Sequence, residues 1–149
     1  MELYRSFLTS IVDRLGTDGY FDSIRIFTDS DIPLRDKVQT QLNSVGICVY
    51  VPYPEFSREA NNQVKLMQPV IVYENPTVNY DTGSYHSGSN KTGTDCMMRI
   101  WGNLEGYSPT DIYKPIQGTN GGSVNEDSGI ISHMVNFDTQ YTLQIVERV

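Results

Sequence analysis

The chain has 149 residues, which is enough for one ordinary domain that buries its own core without a metal or a disulfide. Eleven basic residues against eighteen acidic ones give a formal net charge of −7, and the basic residues are scattered along the chain. Because affinity for nucleic acid comes largely from clustered positive charge, this composition speaks against a nucleic-acid-binding protein.

The cysteine count and the hydropathy pattern indicate the cellular compartment in which the protein folds. Cys48 and Cys96 are the only cysteines, so we expect no disulfide framework and interpret both as small core residues. No apolar run reaches the length of a membrane span, and the first residues carry an acid and then a helical pattern instead of a signal peptide. We therefore expect no membrane contact and folding in a reducing cytoplasm.

Two helices and two strands are predicted over the first fifty residues. Apolar residues recur at helical spacing from Leu3 to Leu15, which predicts an amphipathic helix that packs on a sheet. Residues 23–27 form a short alternating strand. A second helix is predicted over residues 34–43, with Gly46 at its end, and the apolar run 47–51 predicts the next strand.

The middle of the chain is predicted to be one strand between two loops. Residues 55–62 are polar and indicate a loop. Residues 64–74 predict a strand in which Pro69 indicates an edge position or a bulge. Residues 75–93 are rich in Gly, Ser, Asn and Thr, so we expect a long loop of the kind that usually carries function.

The last third of the chain predicts a third helix and the clearest strand. Thr94 and Asp95 can cap a helix that ends near Gly106, and residues 119–129 are expected to form a second long loop. Strict alternation of apolar and polar residues predicts a strand over 135–145. An additional strand over residues 112–117 is an alternative that the sequence pattern does not decide.

Together these elements predict a single α+β domain over residues 1–149. Their order is α-β-α-β-β-α-β, with the optional extra strand, and no internal repeat is evident. Such an order fits a single mixed or antiparallel sheet with helices packed mainly on one face.

The sequence holds no recognisable catalytic or nucleotide-binding motif. Residues 88–93 resemble a phosphate-binding loop only loosely, because Asn90 stands where a glycine must precede Lys91. Asp29 and Asp31 are expected to form turns or to cap the second helix, with a weakly bound cation as the alternative. We predict no catalytic residue, no cofactor and no metal.

The histidines and cysteines also give little indication of a metal site or a catalytic nucleophile. His86 and His133 are the only histidines, too few for a histidine-rich metal site, and His133 is expected to face solvent at the start of the last strand. Cys48 lies in an apolar strand, where a thiolate nucleophile is disfavoured.

Three stretches of the sequence resemble small minor tail proteins of long-tailed bacteriophages. Residues 70–79 (VIVYENPTVN) resemble a strand that closes with an acid and Asn-Pro before a polar loop and a helix. Residues 101–109 (WGNLEGYSP) resemble the helix end and turn of those proteins, and residues 135–143 (VNFDTQYTL) resemble their final strand. The family is that of the tail terminator or tail completion proteins.

The resemblance implies a structural subunit without catalysis or cofactor. Tail terminators of this family form a hexameric ring that caps the tail tube and meets the head-side connector. The implied partners are other copies of the chain, the tail tube protein and the head–tail connector protein, with DNA at most passing through the channel. The implied location is the tail of the virion, after folding in the host cytoplasm.

Alternatives from other classes remain at this point. A head–tail connector or stopper protein is the nearest one, followed by an α+β protein-binding adaptor and then a small hydrolase. Ring assembly needs surfaces on each subunit that meet head to tail, and the two predicted loops are the candidates for them. The candidate contact residues within those loops are Asn79, Tyr80, Asp81, Tyr85, His86, Lys91, Asn120, Asn125 and Glu126.

Overall fold

The computed structural model describes residues 2–59, 62–81, 91–109, 113–125 and 129–142. These residues form four α-helices, one short 3-10 helix at Gly19–Phe21 and six strands. The helices are α1 (Glu2–Gly16), α2 (Leu34–Ser44), α3 (Pro76–Asp81) and α4 (Gly93–Leu104). The strands are β1 (Arg25–Thr28), β2 (Ile47–Val51), β3 (Glu55–Arg58), β4 (Gln63–Glu74), β5 (Gln117–Asn125) and β6 (Ile131–Thr142).

All six strands belong to one mixed sheet. The order is β1-β2-β4-β6-β5, and β3 pairs with β4 beside β2. The β1–β2 pair is parallel and the other pairs are antiparallel. The predicted α+β class with a single mixed sheet is therefore confirmed.

The strongest part of the sheet is the pairing of β4 with β6. The register runs without interruption from Gln63 opposite Thr142 to Glu74 opposite Ile131. Along β4 every second residue is buried, from Val64 to Glu74. This alternation buries one face of the sheet beneath helices and leaves the other face partly open to solvent.

Most of the helical mass covers one face of this sheet. The main core joins residues of α1 and α4 to that face; its largest fully buried members are Phe7, Ile11, Leu15, Leu66, Ile100, Leu104, Ile116 and Phe137. A second, smaller cluster of Phe27, Leu42 and Cys48 packs α2 against the opposite face near β1 and β2. The expectation that helices lie mainly on one face is confirmed.

The end of α2 depends on a glycine, as its position in the sequence predicts. Gly46 has a φ of +90° and follows the last helical turn, a conformation that favours glycine. A Cβ built on Gly46 would lie 2.6 Å from the backbone nitrogen of Asn79. Gly46 is thus required both by the helix end and by the close approach of α3.

Pro69, for which the sequence predicts an edge position or a bulge, lies in β4, which as a whole is an interior strand. On the side away from β6, however, β4 pairs with β2 through residues 71–74 and with β3 through residues 64–67. Between these two partners, residues 68–70 face no other described strand. Proline has no N–H, but on this side Pro69 has no neighbouring strand to which an N–H would donate. The buried Gln68 side chain fills the interval and donates from Nε2 to the carbonyl of Pro52 at 2.7 Å.

Three predicted loops contain regular structure. Residues 55–58 of the predicted 55–62 loop form β3, and residues 76–81 of the predicted 75–93 loop form α3. The predicted loop 119–129 is wrong over residues 119–125, which are part of β5. These elements escaped prediction because β3 and β5 have almost no buried residues and therefore no apolar alternation.

Candidate functional site

Of the candidate contact residues of the first predicted loop, the side chains of Asn79 and Lys91 are described. Asn79 is only 3% exposed, so its side chain is not available to a partner. It donates from Nδ2 to Glu74 Oε2 at 3.1 Å and to the Lys91 carbonyl at 3.2 Å. The contact role predicted for the Asn79 side chain is therefore wrong, and the residue has an internal role instead.

Lys91 ties the other end of this stretch to the rest of the protein. Its Nζ donates to the carbonyl of Tyr20 at 2.5 Å and lies 4.7 Å from the centre of the Tyr20 ring. Tyr80 and Asp81 belong to α3, but only their backbone is described. Tyr85 and His86 lie entirely outside the described residues. Their predicted contact role stays a prediction.

The candidates of the second predicted loop lie on the exposed strand β5. Asn120 and Asn125 are both exposed, and Asn120 Oδ1 accepts a hydrogen bond from Asn136 Nδ2 at 2.7 Å. Glu126 lies outside the described residues. The structure thus places Asn120 and Asn125 on a strand at the edge of the sheet instead of on a loop.

A buried polar cluster, which sequence reasoning missed, lies between these two regions. We call it the Glu74 cluster; its members are Glu74, Asn79, Gly93, Ser123 and His133. Glu74 Oε2 accepts the backbone N–H of Gly93 at 3.0 Å as well as the Asn79 amide. Glu74 Oε1 lies 3.2 Å from His133 Nε2, and His133 Nδ1 lies 2.7 Å from Ser123 Oγ.

The sheet register brings these side chains together. Glu74 ends the buried face of β4, and His133 lies on the same face near the start of β6, opposite Ser123 of β5. Helix α4 begins above them, with Thr92 as its N-cap. A Cβ on Gly93 would lie 2.2 Å from His133 Nε2, so only glycine lets α4 approach this closely.

The cluster fits a structural role. A carboxylate at a helix N-terminus satisfies free N–H groups and interacts favourably with the helix dipole. In serine hydrolases the nucleophile bonds Nε2 of the histidine and the carboxylate bonds Nδ1. In the Glu74 cluster these two positions are exchanged, and Glu74 is already shared by the amides of Asn79 and Gly93. We interpret the cluster as a clamp that joins α3, α4 and three strands.

Among the described residues, neither the two thiols nor the acidic side chains form a further candidate site. Cys48 and Cys96 are fully buried, which confirms the prediction that both are core residues. Burial raises the pKa of Cys48 to about 12, so its thiol stays protonated at neutral pH. Within the described residues, no group of three or more His, Cys, Asp or Glu side chains is arranged to hold a metal ion.

Of the two roles expected for Asp29 and Asp31, the structure shows the turn-forming role at the end of β1 and not the capping of α2. The N-cap of α2 is Pro33, and no side chain caps this helix. Asp29 instead accepts hydrogen bonds from the Tyr50 hydroxyl and from the Tyr53 backbone at 2.8 Å. Asp31 accepts the N–H of Thr28 at 2.8 Å, so both carboxylates stabilise the chain around the end of β1.

A charged network fixes the helical layer from outside. Arg99 of α4 forms two hydrogen bonds with Asp18, at 2.5 Å and 3.0 Å, and Asn103 donates a third at 2.8 Å. Asp18 also caps the 3-10 helix through the N–H of Tyr20. The hydrogen bonds from Arg99 and Asn103 hold the pKa of the Asp18 carboxyl well below its usual range.

β5 is the longest exposed strand among the described residues. Its residues are exposed except for a half-buried Gly118, and it lies at one edge of the sheet. On the face opposite α4, β5 and β6 border an open groove of about 430 Å³ with Ile71, Val124 and Met134 in its wall. Val124 is 60% exposed and Met134 is 41% exposed, so this edge presents apolar side chains to solvent.

Comparison with known proteins relates the fold to a virus-like particle. The structure is similar to a chain in the virion of a native gene transfer agent particle, with a TM-score of 0.62 and 7% sequence identity. The match covers 91% of this chain and 94% of that chain, so the likeness extends over the whole domain, and at this identity it shows the fold alone. No protein-family model and no curated protein sequence matches the chain. None of the described helices has the length and apolar character that a bilayer span needs.

Proposed function

We propose that the protein is a structural subunit of a tailed, phage-like particle, and more specifically a tail terminator. In this role copies of the chain form a ring of six that caps the tail tube and joins it to the head-side connector. The subunit folds in the host cytoplasm, acts in the tail of the virion, and performs no catalysis.

The observation that carries this proposal is the fold shared with a chain of the gene transfer agent virion. The two chains match over almost their whole lengths, so the likeness is not that of a common small motif. The resemblance of residues 70–79, 101–109 and 135–143 to minor tail proteins supports the same class of function independently. Residues 70–79 contain Glu74 and Asn79 of the Glu74 cluster, and residues 135–142 follow His133 in β6.

The physical character of the described residues agrees with an assembly subunit. The buried histidine, glutamate and cysteine side chains are engaged within the fold, while β5 and the adjacent groove are open. The shared fold supports a connector or stopper protein of the head–tail joint equally well. The matched chain belongs to the gene transfer agent virion, and its position within that virion is not specified. Ring stoichiometry is the property that tests the more specific proposal.

The test is the assembly state of the purified protein. Sedimentation velocity over a range of concentrations, followed by negative-stain electron microscopy, should reveal closed rings with the mass of six chains. Class averages with six-fold symmetry would support a tail terminator. A protein that remains monomeric at every concentration, or that forms closed rings of another order, would contradict it.

A further inference from the structure

The three free edges of the sheet differ in length and charge. Two of them, β1 (Arg25–Thr28) and β3 (Glu55–Arg58), have four residues each and carry charged side chains. The third, β5, has nine residues, Gln117–Asn125, without any charge or proline. Natural proteins usually protect an exposed edge by shortening it or by placing lysine, other charges or proline on it.

β5 therefore lacks the usual protection against pairing with another chain. Its inner side pairs with β6 along the whole strand, with one irregularity between Gly118 and Asn120. Among the described strands none pairs with its outer side. The N–H of Gly118 already donates to Glu105 Oε1 at 3.2 Å. The backbone N–H and C=O groups that point outward from the rest of β5 have the geometry used in β-strand addition.

We infer that β5 is the edge through which a second copy of this chain docks, by adding a strand to the sheet. The inference rests on the proposed function and deepens it, because it names one of the two surfaces that close the ring. The Val124 and Met134 side chains lie beside this edge and would be covered by the incoming copy.

Charge favours a second copy over an unrelated partner at this edge. Each chain has a formal net charge of −7, and a neutral contact surface avoids adding like-charge contacts to the repulsion between two copies. β5 is the long neutral edge among the described strands. A partner recruited by its positive charge would instead be expected to meet acidic side chains, which β5 does not offer.

Symmetry limits how the contact is made in a ring. β5 against β5 of a second copy is a two-fold contact and stops at a dimer. A closed ring therefore requires β5 to meet a different surface of the neighbouring copy. The inference assigns the β5 side of that contact and leaves the complementary surface to be found by experiment.

The first test compares two variants that each add one negative charge to an exposed edge residue. Val124→Glu places the charge on β5, and Ser57→Glu places it on β3 opposite Lys65. We expect Val124→Glu to raise the concentration needed for half-assembly by about tenfold or more, because the new carboxylate must lose its water when the interface covers it. Ser57→Glu should assemble like the wild type, and both variants should keep the wild-type thermal midpoint.

The second test measures the backbone directly and needs no variant. Hydrogen–deuterium exchange of the wild-type protein is compared between its assembled and its diluted, monomeric state. Amides of residues 117–125 should exchange more slowly in the assembled state, and amides of residues 55–58 should be unchanged. β5 amides that exchange equally fast in both states would overturn strand addition.

The outcomes separate this inference from the proposed function. If the wild type never assembles, the ring proposal itself fails. If the wild type assembles and Val124→Glu assembles equally well, or if both variants are impaired to the same extent, the β5 inference fails while the ring proposal stands. A wild-type dimer that Val124→Glu dissolves would support docking at β5 and contradict the ring.

Discussion

Strands β4 and β5 pair with the two sides of the same strand, β6, but they are held in place by different forces. β4 buries every second side chain beneath α1 and α4, so its position is fixed by the core. β5 has an equally regular antiparallel register over most of its length, yet it buries almost nothing. The comparison shows that β5 is held mainly by its pairing with β6, while its side chains stay exposed.

The largest effect should come from the core side of this comparison. Phe137 of β6 is 1% exposed, and its ring centre lies 6.1 Å from that of Trp101 of α4. We expect Phe137→Ala to lower the free energy of unfolding by about 3–5 kcal/mol, because the change leaves a cavity beneath α4. The control Val124→Ala on β5 should change it by no more than about 0.5 kcal/mol. Chemical denaturation of both variants measures the two values, and equal losses would invalidate the comparison.

The Glu74 cluster offers a second comparison, because His133 bonds Glu74 of β4 on one side and Ser123 of β5 on the other. Glu74→Ala should destabilise the protein by about 2 kcal/mol or more, since it leaves the buried N–H of Gly93 without this acceptor and removes one acceptor of the Asn79 amide. Ser123→Ala removes one bond at an exposed residue and should cost about 0.5–1 kcal/mol. Thermal and urea denaturation measure both losses of stability. If the cluster were held mainly from β5, Ser123→Ala would lose more stability than Glu74→Ala.

Glycine substitutions should distinguish the same two regions. Gly93→Ala would force a Cβ to within 2.8 Å of Glu74 Oε1 and closer still to His133, so we expect a loss of about 1–3 kcal/mol. Gly122 of β5 has no atom within 4 Å of its added Cβ. Gly122→Ala should therefore be neutral or should stabilise the protein by up to about 1 kcal/mol. Denaturant midpoints of the two variants provide the measurement.

The smallest effect concerns the charged network on the helical layer and depends on pH. The folded-state pKa of Asp18 lies below its unfolded value, so its carboxylate contributes stability above pH 4 or so and loses it as the pH falls towards the folded-state pKa. Asp18→Asn should be less stable than the wild type at pH 7, and the difference should shrink below about pH 4. Asp13→Asn, at an exposed position of α1, is the control. A difference that is constant from pH 7 to pH 3 would contradict this assignment.

The parts of the fold with a buried face could be predicted from the sequence. α1, β2 and the described part of the last strand follow directly from apolar spacing, and Gly46 and Gly106 mark helix ends with positive φ as expected. The end of the last predicted strand, residues 143–145, lies outside the described residues. Strands β3 and β5 could not be predicted, because both are exposed on their two faces and their sequences carry no period-2 apolar signal.

The Glu74 cluster was missed although part of its signal is present in the sequence. The alternation that buries Val70 and Val72 also places Glu74 on the buried face, and the alternation of β6 does the same for His133. His133 is 4% exposed, so the prediction that it faces solvent was wrong. What the sequence cannot give is the register that sets β4, β5 and β6 side by side, since this depends on contacts between residues far apart in the chain.

The hydrogen bond from Asn79 Nδ2 to the carbonyl of Lys91 has a practical consequence for protein engineering. It brings the two ends of the intervening stretch to one point, and each end is anchored separately, through Glu74 and through Tyr20. When the ends of a stretch are fixed by their own contacts, doubling its length costs only about 0.6 kcal/mol of closure entropy. An epitope tag or a fluorescent reporter inserted within residues 82–90 should therefore be accommodated by the domain.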